Sequence, residues 1–254
     1  MAEFDGIKVV MGGGAFGSSP DITDAESISK ALDILDGAGI KEIDAAQLYG
    51  NCEALLGEVG AAKRGFIVST KDPGGMNGPI DAKKLADNAE RSLSRLGTSN
   101  VDTFYIHAPD LEKPLEDYLP TVNELYEKGL FRRFGVSNYP PELVEKTFEY
   151  CKKNEFVLPS VYQGNYNILS RRQETALFPT LRKLGISFYA YSALAGGFLT
   201  KSKEQIAEGA GRFNDQNQFG PMYLAMFARP LLLEGLREWE EIAKEESCSK
   251  AMLA

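Results

Sequence analysis

Seven short runs of β-forming residues alternate with stretches of helical period, and this rhythm limits the fold more than any single motif does. The strand runs are Ile7–Val10, Lys41–Asp44, Phe66–Thr70, Val101–Ile106, Phe131–Val136, Ser160–Gln163 and Ile186–Tyr191. The first helical stretch carries Ala25, Ile28, Leu32 and Leu35 on one face. Thr23 followed by Glu26 reads as its capping box, and Gly37 and Gly39 end it. Further helices are expected at about residues 51–62, 81–96, 114–128, 140–152, 172–184 and 229–246. Parallel strands need a crossover between them, and a helix is the usual one. Strands spaced by helices of about ten to fifteen residues therefore predict βαβ units and a parallel sheet. No linker, low-complexity segment or break in composition interrupts the series, so one α/β barrel domain spanning 1–254 is expected rather than a doubly wound sheet. Thr200 to Arg229, rich in Gly, Asn and Gln, is expected to be a long loop, functional or mobile.

Composition excludes several classes. With 43% apolar and 25% charged residues the chain is ordinary for a globular protein. A net charge of -8 with no concentrated Lys/Arg stripe argues against a nucleic-acid surface. No apolar run is long enough to span a bilayer, so no membrane association is expected. Met1-Ala2-Glu3-Phe4-Asp5 lacks the basic start and apolar core of a signal peptide. Cys52, Cys151 and Cys248 are far apart, which fits a reducing cytoplasm and no disulfide framework, and one histidine makes a zinc site of usual composition implausible.

In a β/α barrel the loops after the strands converge on one face, so chemistry is sought where the strands end. The second run ends in Asp44, with Tyr49 five residues on; the third ends in Thr70-Lys71 and the fourth in His107. The fifth ends in Ser137-Asn138, the sixth in Gln163 and the seventh in Tyr191-Ser192. Taken singly, each has a plain structural use: a snorkelling lysine, a capping aspartate, a core histidine, a half-buried tyrosine. Taken together they make an acid–base group. A phenol titrates near about 10, too high for ready proton exchange at neutrality. An ammonium beside it lowers that value, a carboxylate holds the ammonium, and a histidine orients a carbonyl oxygen. Carbonyl reduction suits such a group, and the hydride then has to come from a nicotinamide cofactor. Ser137, Asn138 and Gln163 are expected at its carboxamide, with Tyr191 stacked on its ring. The small residues Ser192-Ala193-Leu194-Ala195-Gly196-Gly197 are expected to bring backbone amides to a pyrophosphate.

These residues lie in segments that resemble the aldo-keto reductase superfamily: IDAAQLYG, STK, YIHAPD, FGVSN, VYQGNYN and YAYSALAGGFLT followed by GRF, in the family's order and spacing. The resemblance spans about residues 7 to 250 and is closest to the aflatoxin-aldehyde reductase branch, on LPSVYQGNYN and LFPTLRKLGISFYAYSALAGG. It implies a (β/α)8 TIM-type barrel and an NADPH-dependent oxidoreductase reducing an aldehyde or ketone. Tyr49 would be the proton donor, Lys71 the group that lowers its pKa, Asp44 the partner of Lys71 and His107 the carbonyl orienter. Ser137, Asn138, Gln163 and Tyr191 would meet the nicotinamide, and Ser192 to Thr200, including Leu194, Gly196 and Gly197, with Arg212, would follow the pyrophosphate.

The family pattern continues past Ala254 through a helix, an eighth strand and a basic loop for the adenosine 2′-phosphate. A barrel lacking its eighth strand and C-terminal segment is therefore expected, with weakened NADPH affinity and an open edge that a second copy would cover. The same acid–base group would also serve a redox-independent isomerase, dehydratase or cyclase. The apolar segment Gly220–Phe227, read as a loop near the pocket mouth, suggests a small-molecule carbonyl substrate of apolar or aromatic character.

Overall fold

The computed structural model describes residues 6–17, 19, 21–216 and 220–254. The expectation drawn from Met1–Asp5 lies outside the described residues. The elements run β1 (Met11–Gly12), α1 (Ala25–Gly37), β2 (Glu42–Asp44), α2 (Cys52–Glu58), β3 (Ile67–Asp72), α3 (Ala82–Leu96), β4 (Val101–Ile106) and α4 (Leu119–Glu127). There follow β5 (Phe131–Ser137), α5 (Pro141–Lys153), β6 (Pro159–Asn165), α6 (Gln173–Ala176), α7 (Phe178–Leu184) and β7 (Ser187–Tyr191). Then come α8 (Lys203–Ala207), α9 (Gly220–Phe227), α10 (Pro230–Glu245) and α11 (Lys250–Leu253).

The sheet takes its strands in chain order, β1 to β7. Each neighbouring pair from β1 to β5 is parallel, and β6 joins β5 in parallel with a register shift at Phe134/Gly135. Sequential parallel order with helical crossovers is that of a TIM-type barrel, here with seven strands among the described residues and no eighth. The inner strands are buried on both faces, as parallel strands are: every residue of β2 and all but one of β4 are buried, whereas no residue of β1 or β7 is.

The chain divides into two compact units. The first comprises Met1–Gln163 and Pro179–Phe188. Its helices bury one stripe each; in α3 the buried residues are Leu85, Ala89, Ser92 and Leu96, at helical spacing. Asp81 caps α3 by accepting from the Lys84 amide, and Gly97 closes it in the left-handed conformation at φ 64. Helix α2 meets α3 so closely that a Cβ on Gly57 would lie 1.9 Å from the Arg95 carbonyl oxygen. The second unit comprises Gly164–Phe178 and Tyr189–Ala254. Its core is Ala195, Phe198, Leu199, Ile206, Phe213, Phe227 and Leu236, with Tyr223, Leu232 and Trp239 packed against it.

Several sequence expectations need correction. Strand β1 is Met11–Gly12, past the expected Ile7–Val10. The cap of α1 is Asp24, not Thr23. The Asp24 carboxylate accepts from the Ser27 amide at 2.8 Å while the Ser27 hydroxyl supplies the reciprocal half of the box, so Glu26 is not needed for it. Thr200–Arg229 is not an unbroken loop: it carries α8, a short 3-10 turn at Gly211–Phe213, and α9. Gly220–Phe227 is thus a helix, and its Phe227 is in the core of the second unit. The expected helix at 172–184 is two pieces, α6 and α7. Among the described residues no helix is long and apolar enough to cross a membrane, and no group of three or more His, Cys, Asp or Glu is placed to hold a metal ion.

Candidate active site

Strand pairing builds the centre of the site. Asp44 closes β2 and pairs in register with Ser69 of β3. Lys71 lies two residues further along β3, and side chains two apart in a strand share a face. The loop after β2 is pinned to β3 and to itself: the amides of Ala45 and Gln47 donate to the carbonyls of Ser69 and Lys71 (2.8 and 3.2 Å), and the Tyr49 amide donates to Ala46 (3.0 Å). This returns Tyr49 to the end of the strand it has just left.

Lys71 is fully buried. Its Nζ donates to Asp44 Oδ2 at 2.5 Å, to the Ala45 carbonyl at 2.9 Å and to the Tyr49 hydroxyl at 3.4 Å. An ammonium has three N–H donors, so each is matched. The Nζ also sits 4.8 Å from the Tyr49 ring centre and 5.7 Å from that of Tyr105. Burial pulls the lysine pKa down, but the charge of Asp44, and then Tyr49, outweigh it and leave the value above the ordinary one. The buried cation thus stays charged because it is paired.

Burial pushes the Tyr49 phenol above 10, and Lys71 opposes that rise. Lys71 therefore acts in the expected direction but does not bring the phenol below its ordinary value; Tyr49 holds its proton through neutrality. His107 follows β4, with its amide donating to Asp72 (2.9 Å). Its ring meets that of Tyr49 edge to face, centres 5.7 Å apart at 84°. Burial first, and the charge of Lys71 second, depress the His107 pKa to about 3, so the imidazole is neutral. Its Nδ1 is buried without a hydrogen-bond partner among the described residues. A Cβ on Gly14 would lie 4.0 Å from the Tyr49 ring, and one on Gly13 would lie 2.7 Å from Cys52 Sγ.

Ser137, Asn138 and Gln163 join the same network. Asn138 takes a left-handed φ of 62, rare for a residue other than glycine, and its Nδ2 donates to the His107 carbonyl and to Ser137 Oγ, both at 3.0 Å. Its amide donates to the Gln163 carbonyl at 3.3 Å. Gln163 Nε2 donates to Asp44 Oδ1 at 3.1 Å. Facing a carboxylate, that amide must present its NH2.

The remaining candidates belong to the second unit. Tyr191 and Leu194 are each 37% exposed. Ser192 has a φ of 55, and its carbonyl accepts from Asn167 Nδ2 at 3.0 Å. Gly196 and Gly197, with φ of 69 and 95, form a non-helical kink within Ala195–Thr200. The ring of Tyr223 lies against Gly196, where a Cβ would come within 2.2 Å of it. Arg212 donates to the Tyr223 hydroxyl at 2.8 Å and stands 5.5 Å from its ring centre. Lys201 Nζ donates to the Gly197 carbonyl at 3.4 Å.

In the first unit, side-chain amides and a hydroxyl adjoin the acid–base group. In the second, Gly196 has no room for a Cβ against Tyr223, and Lys201 reaches the Gly197 carbonyl.

Comparison with known proteins agrees with the geometry. Residues 8–254 match the Aldo/keto reductase family. The chain belongs to that family. It is 34% identical over 244 residues to the oxidoreductase sirO of Leptosphaeria maculans, covering 92% of this chain and 74% of that protein. An aldo-keto reductase of Pseudocercospora fijiensis is 40% identical over 198 residues, 74% of this chain and 67% of its own length. Human aflatoxin B1 aldehyde reductase member 4 is 38% identical over 208 residues, 78% of this chain and 62% of that protein. As an aldo-keto reductase the chain is of oxidoreductase type.

Some contacts of this aldo-keto reductase site were not anticipated from the sequence. Gln47 Nε2 donates to the Asn88 carbonyl (2.9 Å) and to Ser92 Oγ (2.8 Å), which fastens the loop before Tyr49 to α3. Glu53, 1% exposed, accepts from the Thr70 hydroxyl at 2.6 Å, beside Lys71 in the chain. A glutamate on the inner face of a short helix was the available signal. Tyr105, packed over Lys71, was visible only as one more apolar residue of β4.

Proposed function

We propose that the chain reduces an aldehyde or ketone to the alcohol with NADPH, with Tyr49 as the proton donor. The observation that carries this reading is the fully buried Lys71, held between the Asp44 carboxylate and the Tyr49 hydroxyl. When bound, the dihydronicotinamide supplies a hydride to the carbonyl carbon. Ser137, Asn138 and Gln163 would hold its carboxamide, with Tyr191 at the ring; Ser192, Leu194, Gly196, Gly197 and Arg212 would line the diphosphate.

The protein's own groups handle the proton. Neutral His107 donates a hydrogen bond to the carbonyl oxygen and orients it. As negative charge develops on that oxygen, Tyr49 transfers its phenolic proton to it. The phenolate left behind is stabilised by Lys71, whose charge is kept in place by Asp44. Burial makes Tyr49 a weak acid at rest, so the transfer occurs only toward an alkoxide, which is more basic still.

The test is NADPH oxidation followed by absorbance with a panel of aliphatic and aromatic aldehydes and ketones, and calorimetry with NADPH and NADH. Stoichiometric NADPH loss with alcohol formation, abolished by Tyr49→Phe, is expected. Substrate conversion without NADPH loss would overturn hydride transfer and favour acid–base chemistry alone.

A further inference from the structure

Gln163 was expected to serve a cofactor's carboxamide, yet its side-chain NH2 is committed elsewhere. Nε2 donates to Asp44 Oδ1, across 119 residues of chain, while Lys71 takes Asp44 Oδ2. The two carboxylate oxygens are therefore held by two different side chains. Gln163 is 6% exposed, Lys71 is fully buried and the Asp44 they donate to is 9% exposed, so water does not readily replace either donor. The Gln163 backbone is fixed as well, since its carbonyl accepts from the Asn138 amide at 3.3 Å. What the side chain has left is Oε1, an acceptor, which takes no hydrogen bond among the described residues.

We propose that Gln163 is a positioning residue for the proton donor: through Nε2 it fixes the Asp44 carboxylate in the orientation that anchors Lys71 beside Tyr49. This rests on the reading of the site given above. Oε1 is then the atom left for a carboxamide N–H of the nicotinamide. One side chain thus links the cofactor's carboxamide to the carboxylate behind the proton donor. A carboxylate gripped at one oxygen only is free to rotate about its bond to Cβ. Gripped at both, it presents one lone pair to Lys71 and keeps the ammonium at the phenol.

Gln163→Glu separates the two roles. It keeps an acceptor for the carboxamide and nearly the same shape, but its carboxyl can pair with Asp44 only when one proton is shared between them. That pairing raises the folded-state pKa of the carboxyl pair, so the stability it provides is present at low pH and lost as pH rises through the raised value. In cofactor-free protein, urea unfolding of Gln163→Glu should therefore show a loss relative to wild type at about pH 8 that shrinks by about pH 5.5. Gln163→Met, which neither donates nor titrates, should show the same loss at both. If Gln163→Glu and wild type differ equally at both pH values, the contact with Asp44 is absent and the proposal fails.

The second arm is single-turnover NADPH oxidation with an aldehyde. The Gln163→Glu rate should fall about tenfold at about pH 8 and recover toward about pH 5.5, with the NADPH dissociation constant changed by less than about threefold. A rate that stays parallel to wild type while only cofactor affinity changes would make Gln163 an ordinary cofactor ligand and overturn the proposal. Wild-type protein that neither binds nor oxidises NADPH would overturn the reading of the site, and this proposal with it. The unfolding arm needs no cofactor, so the two failures are distinguishable.

Discussion

Lys71 Nζ stands 3.4 Å from the Tyr49 hydroxyl and 4.8 Å from the centre of the Tyr49 ring, so one buried cation serves both the polar end and the face of the same side chain. The cation has no solvent to fall back on, and Asp44 is its counter-charge. Removing either partner strands the other. Lys71→Met and Asp44→Asn should each cost about 3–5 kcal/mol in urea unfolding, and the double variant should regain much of that stability while recovering no activity. Additive losses in the double variant would refute the coupling.

Tyr49→Phe should separate chemistry from stability. Lys71 keeps its bonds to Asp44 and the Ala45 carbonyl, so the unfolding free energy should change by no more than about 1 kcal/mol. Turnover should fall by about a hundredfold or more, the usual worth of a general acid. Normal turnover in this variant would exclude Tyr49 as the donor.

His107 gives a pH signature. Its pKa is about 3 in the fold and 6.5 is the ordinary value, so between these two the unfolded chain binds the proton and the folded one does not. Stability is therefore complete above about 6.5 and declines as pH falls from there toward 3. Unfolding midpoints measured at about pH 7 and about pH 4.5 should drop more for wild type than for His107→Gln. Equal drops would mean that the imidazole is charged in the fold. For the same reason the rate profile should show no histidine limb near 6.5.

Two glycines should respond in opposite senses to alanine. A Cβ on Gly135 would lie 2.3 Å from the ring of Tyr105, which is 1% exposed and covers Lys71. Gly135→Ala should destabilise by about 1–3 kcal/mol and lower turnover as Tyr105 is displaced. Gly235, inside α10, has nothing within 4 Å of its Cβ position. Gly235→Ala should stabilise by about 0.5–1 kcal/mol and leave turnover unchanged. Thermal unfolding of the two variants beside wild type checks both signs.

The parallel sheet was legible because period-2 and period-3.6 patterns recur along the whole chain, and the strand-end residues Asp44, Lys71 and His107 could be placed once the sheet was. Boundaries were less so. Thr23 and Asp24 are both competent caps, and only backbone geometry selects Asp24. Helices α8 and α9 escaped notice because five and eight residues are too few to display a stripe, and α9 is apolar on most sides. The bond from Gln163 to Asp44 joins residues 119 apart and is set by strand register, which no local pattern encodes. The net rise of the Tyr49 pKa was equally hidden, since it depends on how far burial outweighs Lys71.

The chain has one histidine and one tryptophan. His107 lies in the first unit against Tyr49, and Trp239 lies in the second, its indole donating to the Leu199 carbonyl at 3.1 Å. Each unit therefore carries a unique spectroscopic reporter that needs no labelling or assignment: every imidazole resonance comes from the acid–base group, and all indole fluorescence comes from the unit that holds the glycine pair.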